Sequence, residues 1–179
     1  METVEEKAAG NFDEATTELY KRLYRVIDEI VTRIHFAFRP KSGESDVTDA
    51  QRTEFYWRIR PLLVQLVNFG DKGKQTATLF APTAHHFMEF LGDAVDYDPA
   101  GALQLAAAVA SDSENAGYHL DSMAARETVA LAERILADYR GELRRPEVLA
   151  DLVRLLDLFA KVGWPDALRL LWRLDEVFR

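Results

Sequence analysis

The chain has 179 residues, enough to bury a hydrophobic core, and its 48% hydrophobic and 29% charged residues exclude wholesale disorder and a membrane-protein composition. It has no cysteine, which excludes disulfides and thiolate metal sites and fits a reducing compartment, so we expect a cytoplasmic protein. The acidic first twenty residues exclude a secretory leader, and no apolar run is long enough to span a membrane, so no membrane interaction is expected.

The net charge of −8 comes almost entirely from residues 75–125, which contain seven Asp and Glu but no Lys or Arg. This segment is either a buried, Ala-rich region that lacks long cations or an acidic surface that attracts a basic partner. Both interpretations disfavour direct binding of nucleic acid. The carboxylates that we single out as candidates for partner binding are Glu89, Asp93, Asp96, Asp112 and Glu114.

Apolar residues recur with a helical period along nearly the whole chain, and no segment alternates as a strand would. We therefore predict an all-α fold of about six to eight helices, with a flexible N-terminus at 1–11 and a single domain at 12–179. The polar segment 39–48 is the main internal break. The core-facing side of the first helix is predicted to carry Leu19, Leu23, Val26, Ile30, Ile34 and Ala37.

A second helix follows this break. Thr48 and Gln51 have the spacing of a capping box, Pro61 predicts a kink or break, and Gly70 predicts the end. Tyr56 and Trp57 belong to a run of aromatic residues that fans over more than one helix face, so both are candidates for partner contact.

The remaining helices are predicted near 82–96, 98–110, 121–140, 146–162 and 165–178, with a shorter segment near 73–80. Pro82 opens the first of these, and Pro99, Pro146 and Pro165 suit the first position of their helices. Gly163 followed by Pro165 predicts a short turn between two antiparallel helices.

Ala102-Leu103-x-Leu105 is echoed by Ala167-Leu168-x-Leu170, and successive helices are joined by short links. Such antiparallel hairpins could form an irregular bundle or a short HEAT-like α-solenoid, and the sequence favours neither.

The last helix is apolar over roughly 220° of its circumference, wider than the stripe of a surface helix. We therefore expect it to be covered on two sides, by its own fold, by a second copy or by another protein. Trp172 and Phe178 are the candidate contacts on this helix.

His85, His86 and Glu89 are the candidate metal ligands. Helical spacing brings each histidine to the face of Glu89 but separates the two imidazoles by about 100°, so we expect only one to point with the glutamate. The spacing is not that of a helical zinc-hydrolase motif, and a metal site would have to be completed by His119 and a nearby Asp. The favoured interpretation is that both histidines face solvent or make structural hydrogen bonds.

No constellation predicts catalysis or a cofactor. Ser111, Asp112 and His119 are of the types found in a catalytic triad, but the Gly-x-Ser-x-Gly turn is missing. The segment 68–76 lacks the first Gly and the Ser or Thr of a phosphate-binding loop. We therefore expect no enzymatic activity.

Residues 80–179 resemble the helical C-terminal tails of large bacterial proteins of the ATPase and defence type, through "APTAHHFMEF", "DYDPAGALQLAAAVA" and "GWPDALRLLWRLDEVFR". The resemblance implies an interaction region without catalytic residues. We therefore predict a non-enzymatic protein interaction module within a larger bacterial cytoplasmic assembly. The alternative is a helical domain that binds a small molecule or metal through His85, His86, Glu89 and His119.

Overall fold

The computed structural model describes residues 14–39, 47–71, 77–115 and 123–177, and within them every regular element is a helix. This confirms the all-α prediction. Seven α-helices and one short 3₁₀ helix are present in these ranges. They are α1 Glu14–Phe38, α2 Asp49–Asp71, α3 Ala77–Ala94, α4 Pro99–Asn115, α5 Met123–Asp138, the 3₁₀ helix Glu142–Arg144, α6 Pro146–Lys161 and α7 Pro165–Val177.

The helices pack mainly against neighbours two positions away in the chain. Helix α3 lies between α1 and α5, α5 also contacts α7, and α4 lies between α2 and α6. The odd-numbered helices thus form one layer and the even-numbered helices a second. Contacts of α3 with α4 and of α6 with α7 join the layers. This order of contacts is typical of stacked helix pairs in an α-solenoid.

Local signals define several helix ends. The backbone N–H of Thr48 donates to Gln51 Oε1 at 2.8 Å, and that of Gln51 donates to Thr48 Oγ1 at 3.3 Å, the reciprocal bonds of a capping box. Helices α4, α6 and α7 each begin at the proline expected there.

One predicted helix start is wrong, and no break occurs at Pro61. Helix α2 continues through Pro61 to Asp71, one residue past the predicted end at Gly70, and the predicted kink stays a prediction. Buried Tyr56 before the proline and buried Leu63 after it hold both halves against the core. Helix α3 starts at Ala77 instead of Pro82, so residues 77–80 belong to it and form no separate segment. Pro82 is the sixth residue of α3, so the helix runs through it although proline has no N–H to donate to the carbonyl four residues earlier.

The buried side of α1 matches the predicted one only in part. Ile34 is buried and Leu23 and Ile30 pack partly buried against the core, whereas Leu19, Val26 and Ala37 are exposed. The predicted and the observed set of core-facing residues both have helical spacing, and only the packing of α1 against α3 selects between them. The α1 residues buried in the core are Ile27, Val31, Ile34, His35 and Phe38.

Buried side chains from all seven α-helices belong to one hydrophobic cluster. Among the described residues, no helix is both long enough and apolar enough to cross a membrane. The predicted flexible segment 1–11, and residues 40–46 of the predicted break, lie outside the described residues.

Candidate functional site

Three of the four histidines of the chain meet at the carboxylate of Glu89. Helix α3 carries His85, His86 and Glu89 within two turns, and α1 brings His35 to the same place because the two helices pack together. We call this group of four side chains the His–Glu cluster.

The cluster is tightly spaced around one oxygen atom, Glu89 Oε2. His86 Nδ1 lies 3.2 Å from it, His35 Nε2 3.3 Å and His85 Nε2 3.5 Å. Both imidazoles of α3 therefore point with the glutamate, and the expectation that only one would do so is wrong. Positions three and four residues before Glu89 flank it on the same helix face, so each ring reaches it by a different side-chain rotation.

His35 is the buried member of the cluster, with only 1% of its surface exposed. Neither of its ring nitrogens has a hydrogen-bond partner in the described structure, because the 3.3 Å approach to Glu89 lacks hydrogen-bond geometry. The Nδ1 atom of His85 is also buried without a partner. Buried polar atoms are nearly always paired, so three unpaired nitrogens in one cluster are unusual.

The rings of the cluster also contact each other. His35 and His86 are stacked with centroids 5.2 Å apart and an interplanar angle of 23°. His85 and His86 are separated by the same centroid distance. Phe36 approaches both His35 and His86 from the side.

The protonation of the cluster follows from burial and charge. Burial lowers the pKa of His35 below its ordinary value, and the negative charge of Glu89 offsets this only in part. Burial by itself would raise the pKa of Glu89. The hydrogen bond from His86 and the nearby charges of His85, His35 and Arg39 outweigh burial, so this pKa lies below its ordinary value. The lowered pKa of His35 favours its neutral form and the lowered pKa of Glu89 favours its ionised form, and these are the forms in which the two side chains coordinate metal ions.

A cavity of about 250 Å³ adjoins the cluster and shares His35 and Glu89 with it. Burial raises the pKa of Asp93 at its edge. The cavity is polar, since two arginines and three carboxylates, Glu89 among them, line it. Besides His35 and Glu89, the lining residues are Arg39, Gly92, Asp93, Glu127, Ala130, Leu131 and Arg134.

The sequence-based metal set and the structural set differ in one histidine. His119, the predicted third histidine, lies outside the described residues. The structure instead brings in His35, which sequence analysis did not consider. Its signal was its spacing from Ile27, Val31 and Phe38, which marks His35 as part of a buried helix face.

The acidic candidates that the structure describes are mostly close to cations from other helices. Arg134 of α5 donates to both oxygens of Asp96 at 2.6 and 2.7 Å, and Tyr139 donates to the same carboxylate. Arg39 lies 4.0 Å from Glu89. Arginines of other helices thus lie beside carboxylates of the segment without Lys or Arg and partly neutralise its negative charge. The side chains of Asp112 and Glu114 lie outside the described residues.

The aromatic candidates have different environments. Tyr56 is fully buried and donates a hydrogen bond to Asp98, whereas Trp57 is about half exposed and packs against Arg60. Trp172 is the most exposed large apolar side chain described, at 82%. Phe178 lies outside the described residues.

Comparison of this chain with known protein families, with characterised proteins and with solved structures gives no match. The resemblance of residues 80–179 to bacterial helical tails stays a prediction. No role is therefore transferred to the His–Glu cluster from a relative.

Proposed function

We propose that this chain is a non-enzymatic protein interaction module and that it acts through the outer face of α7. The observation that carries the proposal is the exposure of Trp172, at 82%, next to Leu168, at 40%. The two residues are four apart on one helix and form an apolar ridge, which we call the α7 ridge.

The α7 ridge lies away from the core. Ala167 and Leu170 are fully buried, and a step of 100° per residue directs Trp172 nearly opposite to them. The sequence predicts that this helix needs cover on two sides. Among its side chains that the structure describes, those packed against the core lie on the side of Ala167 and Leu170. An uncovered apolar helix face is suited to packing against another helix.

The charges beside the ridge favour a second copy of the chain as the partner. Arg169 and Arg173 lie 3.5 and 3.7 Å from Glu133 of α5, and Arg169 also approaches Asp166. Both signs of charge thus flank the apolar ridge. A two-fold contact between identical surfaces needs this self-complementarity.

The cytoplasmic, bacterial and defence-type context belongs to the same proposal and is supported by the resemblance of residues 80–179. The acidic surface predicted for residues 75–125 contributes less, because Glu89 and Asp96 are close to arginines of other helices. The apolar ridge is the better supported contact surface.

Light scattering on the full chain over a range of concentrations tests the proposal. We expect a monomer–dimer equilibrium that Leu168→Lys and Trp172→Lys both shift to the monomer, because a charge on the ridge would be buried without a partner. The tryptophan emission of the wild-type chain should move to shorter wavelength as the dimer forms and Trp172 loses water.

Leu62→Lys is the matched control, since Leu62 is a helical leucine of similar exposure, at 38%. It should leave the equilibrium unchanged. A wild-type chain that remains monomeric at every concentration would contradict the proposal, as would a dimer that tolerates both ridge substitutions.

A further inference from the structure

We propose that His35, His86 and Glu89 form a binding site for one divalent transition-metal ion, with His85 beside it. One ring nitrogen of each histidine and one carboxylate oxygen of Glu89 all lie within 4.8 Å of one another. The three residues come from two helices, so tertiary packing assembles the site.

The spacing around Glu89 suits tetrahedral coordination. Metal–nitrogen and metal–oxygen bonds of about 2.0–2.1 Å in a tetrahedron separate neighbouring ligand atoms by about 3.3 Å. His86 Nδ1 and His35 Nε2 lie 3.2 and 3.3 Å from Glu89 Oε2. Two edges of the coordination polyhedron are thus present, and the third, between the two histidine nitrogens, is no longer than 4.8 Å.

The unpaired nitrogens of His35 are a second and independent observation. The side chain is 1% exposed, and neither nitrogen has a hydrogen-bond partner among the described residues. A buried histidine that served packing alone would be expected to hydrogen-bond to a neighbour. Coordination through Nε2 would give this atom the partner that the protein does not supply.

The ligand types determine which metals fit. Two imidazoles and one carboxylate favour Zn²⁺ and similar ions such as Co²⁺, whereas Mg²⁺ and Ca²⁺ prefer sites made only of oxygen. Three protein ligands leave a fourth position for water or a small molecule. The 250 Å³ cavity shares His35 and Glu89 with the site and therefore lies beside it.

A bound ion would join α1 to α3. His35 belongs to α1, whereas His86 and Glu89 belong to α3, and the chain between the two helices includes all of α2. Metal binding would therefore stabilise the packing of the first helix against the rest of the fold. The free energy of binding would add to the free energy of unfolding.

Titration of the untagged full chain with Zn²⁺, Co²⁺ and Mg²⁺ tests the site. We expect one Zn²⁺ per chain by calorimetry and a rise in melting temperature with Zn²⁺ and Co²⁺ but not with Mg²⁺. Bound Co²⁺ should give the intense visible absorption of a tetrahedral complex.

Two substitutions test the ligands without opening the core. His86→Ala and Glu89→Gln change partly exposed side chains, so the fold should persist and can be verified by circular dichroism. Loss of a residue that only hydrogen-bonds to a metal ligand weakens binding by roughly 10–100-fold. Loss of a ligand itself, as in each of these variants, should weaken Zn²⁺ binding by at least that factor. Glu54→Gln, the same change at an exposed glutamate of α2, should leave the affinity unchanged.

His35→Ala and His119→Ala separate this ligand set from the one that the sequence suggested. We expect His35→Ala to abolish Zn²⁺ binding and His119→Ala to leave the Zn²⁺ affinity unchanged. The proposal is overturned if millimolar Zn²⁺ produces no shift in melting temperature. It is equally overturned if Zn²⁺ binds but the affinity survives His86→Ala and Glu89→Gln, or if Mg²⁺ binds as well as Zn²⁺.

Discussion

Tyr56 shows how one buried polar residue links distant parts of the chain. Its hydroxyl donates to Asp98 Oδ2 at 3.0 Å, and Arg60 donates to the same oxygen at 2.7 Å. The other oxygen of Asp98 accepts the backbone N–H of Gly101 at 2.9 Å and so caps α4. The side chains of α2 thereby fix the start of α4, a relation that helical periodicity does not contain.

Tyr56→Phe is expected to destabilise the fold by about 1.5 kcal/mol at neutral pH, because a hydrogen bond to a charged group is lost. Burial, followed by the charge of Asp98, raises the pKa of Tyr56 above its ordinary value of 10.0. Above pH 10 the tyrosine of the unfolded chain ionises while the folded one stays protonated, so wild-type stability falls as pH rises. The difference in free energy of unfolding between the wild-type chain and Tyr56→Phe should therefore be largest below pH 10 and become smaller above it.

Urea unfolding of both proteins at about pH 8 and about pH 11 measures this difference. A difference in unfolding free energy that stays constant between the two pH values would contradict the assigned environment of Tyr56.

Sequence analysis predicted three of the four residues of the His–Glu cluster. His85, His86 and Glu89 stand close together in the chain, and their helical spacing is sufficient to group them. His35 lies on another helix, and the core face predicted for α1 contained apolar residues only, among them the exposed Val26 and Ala37. The observed buried face is turned toward Ile27 and Val31 and includes the histidine.

At the scale of elements, the turn between α6 and α7 is the clearest case in which a few consecutive residues determine the local structure. Gly163 has a φ of 81°, its N–H donates to the carbonyl of Ala160 at 2.9 Å, and that of Trp164 donates to Phe159 at 3.0 Å. These are the two bonds of a Schellman motif, and the rings of Trp164 and Phe159 are in contact. The predicted glycine cap is confirmed.

Gly163→Ala should destabilise the chain by about 1–2 kcal/mol, because a side chain strains the left-handed backbone. Gly141→Ala is the matched control. Gly141 has a φ of −58°, and an added methyl group would meet no atom within 4 Å, so this change should be neutral or stabilise by about 0.4–1 kcal/mol. Thermal or urea unfolding measures both effects, and equal results for the two variants would contradict the assigned turn.

At the scale of the whole molecule, the two-layer stack makes the helices unequal. Helix α3 has neighbours on several sides, with Phe87 and Leu91 fully buried, whereas α1 has exposed Leu19 and Val26. Local opening is easiest where few contacts must break.

We therefore expect amide hydrogen exchange to be slowest in α3 and α4 and fastest in the first half of α1 and the last turns of α7. Exchange measured by mass spectrometry on peptic fragments checks this order. Uniform protection across all seven helices would indicate a single cooperative unit and contradict the stacked arrangement.

Charge is also organised over the whole molecule. Asp96 and Asp98 belong to the segment without Lys or Arg, and their cations Arg134 and Arg60 come from α5 and α2. A count of charges along the chain indicates an acidic segment, whereas the folded molecule neutralises part of it.

The sequence by itself determined the helical class and most helix ends, because periodicity, capping boxes, N-terminal prolines and the Gly163 cap act within a few residues. Only the tertiary structure decided which side of α1 is buried, which cations meet Asp96 and Asp98, and that His35 joins His86 and Glu89. These relations connect residues far apart in the chain. They depend on which helix faces pack together, and several faces of one amphipathic helix satisfy the same local rules.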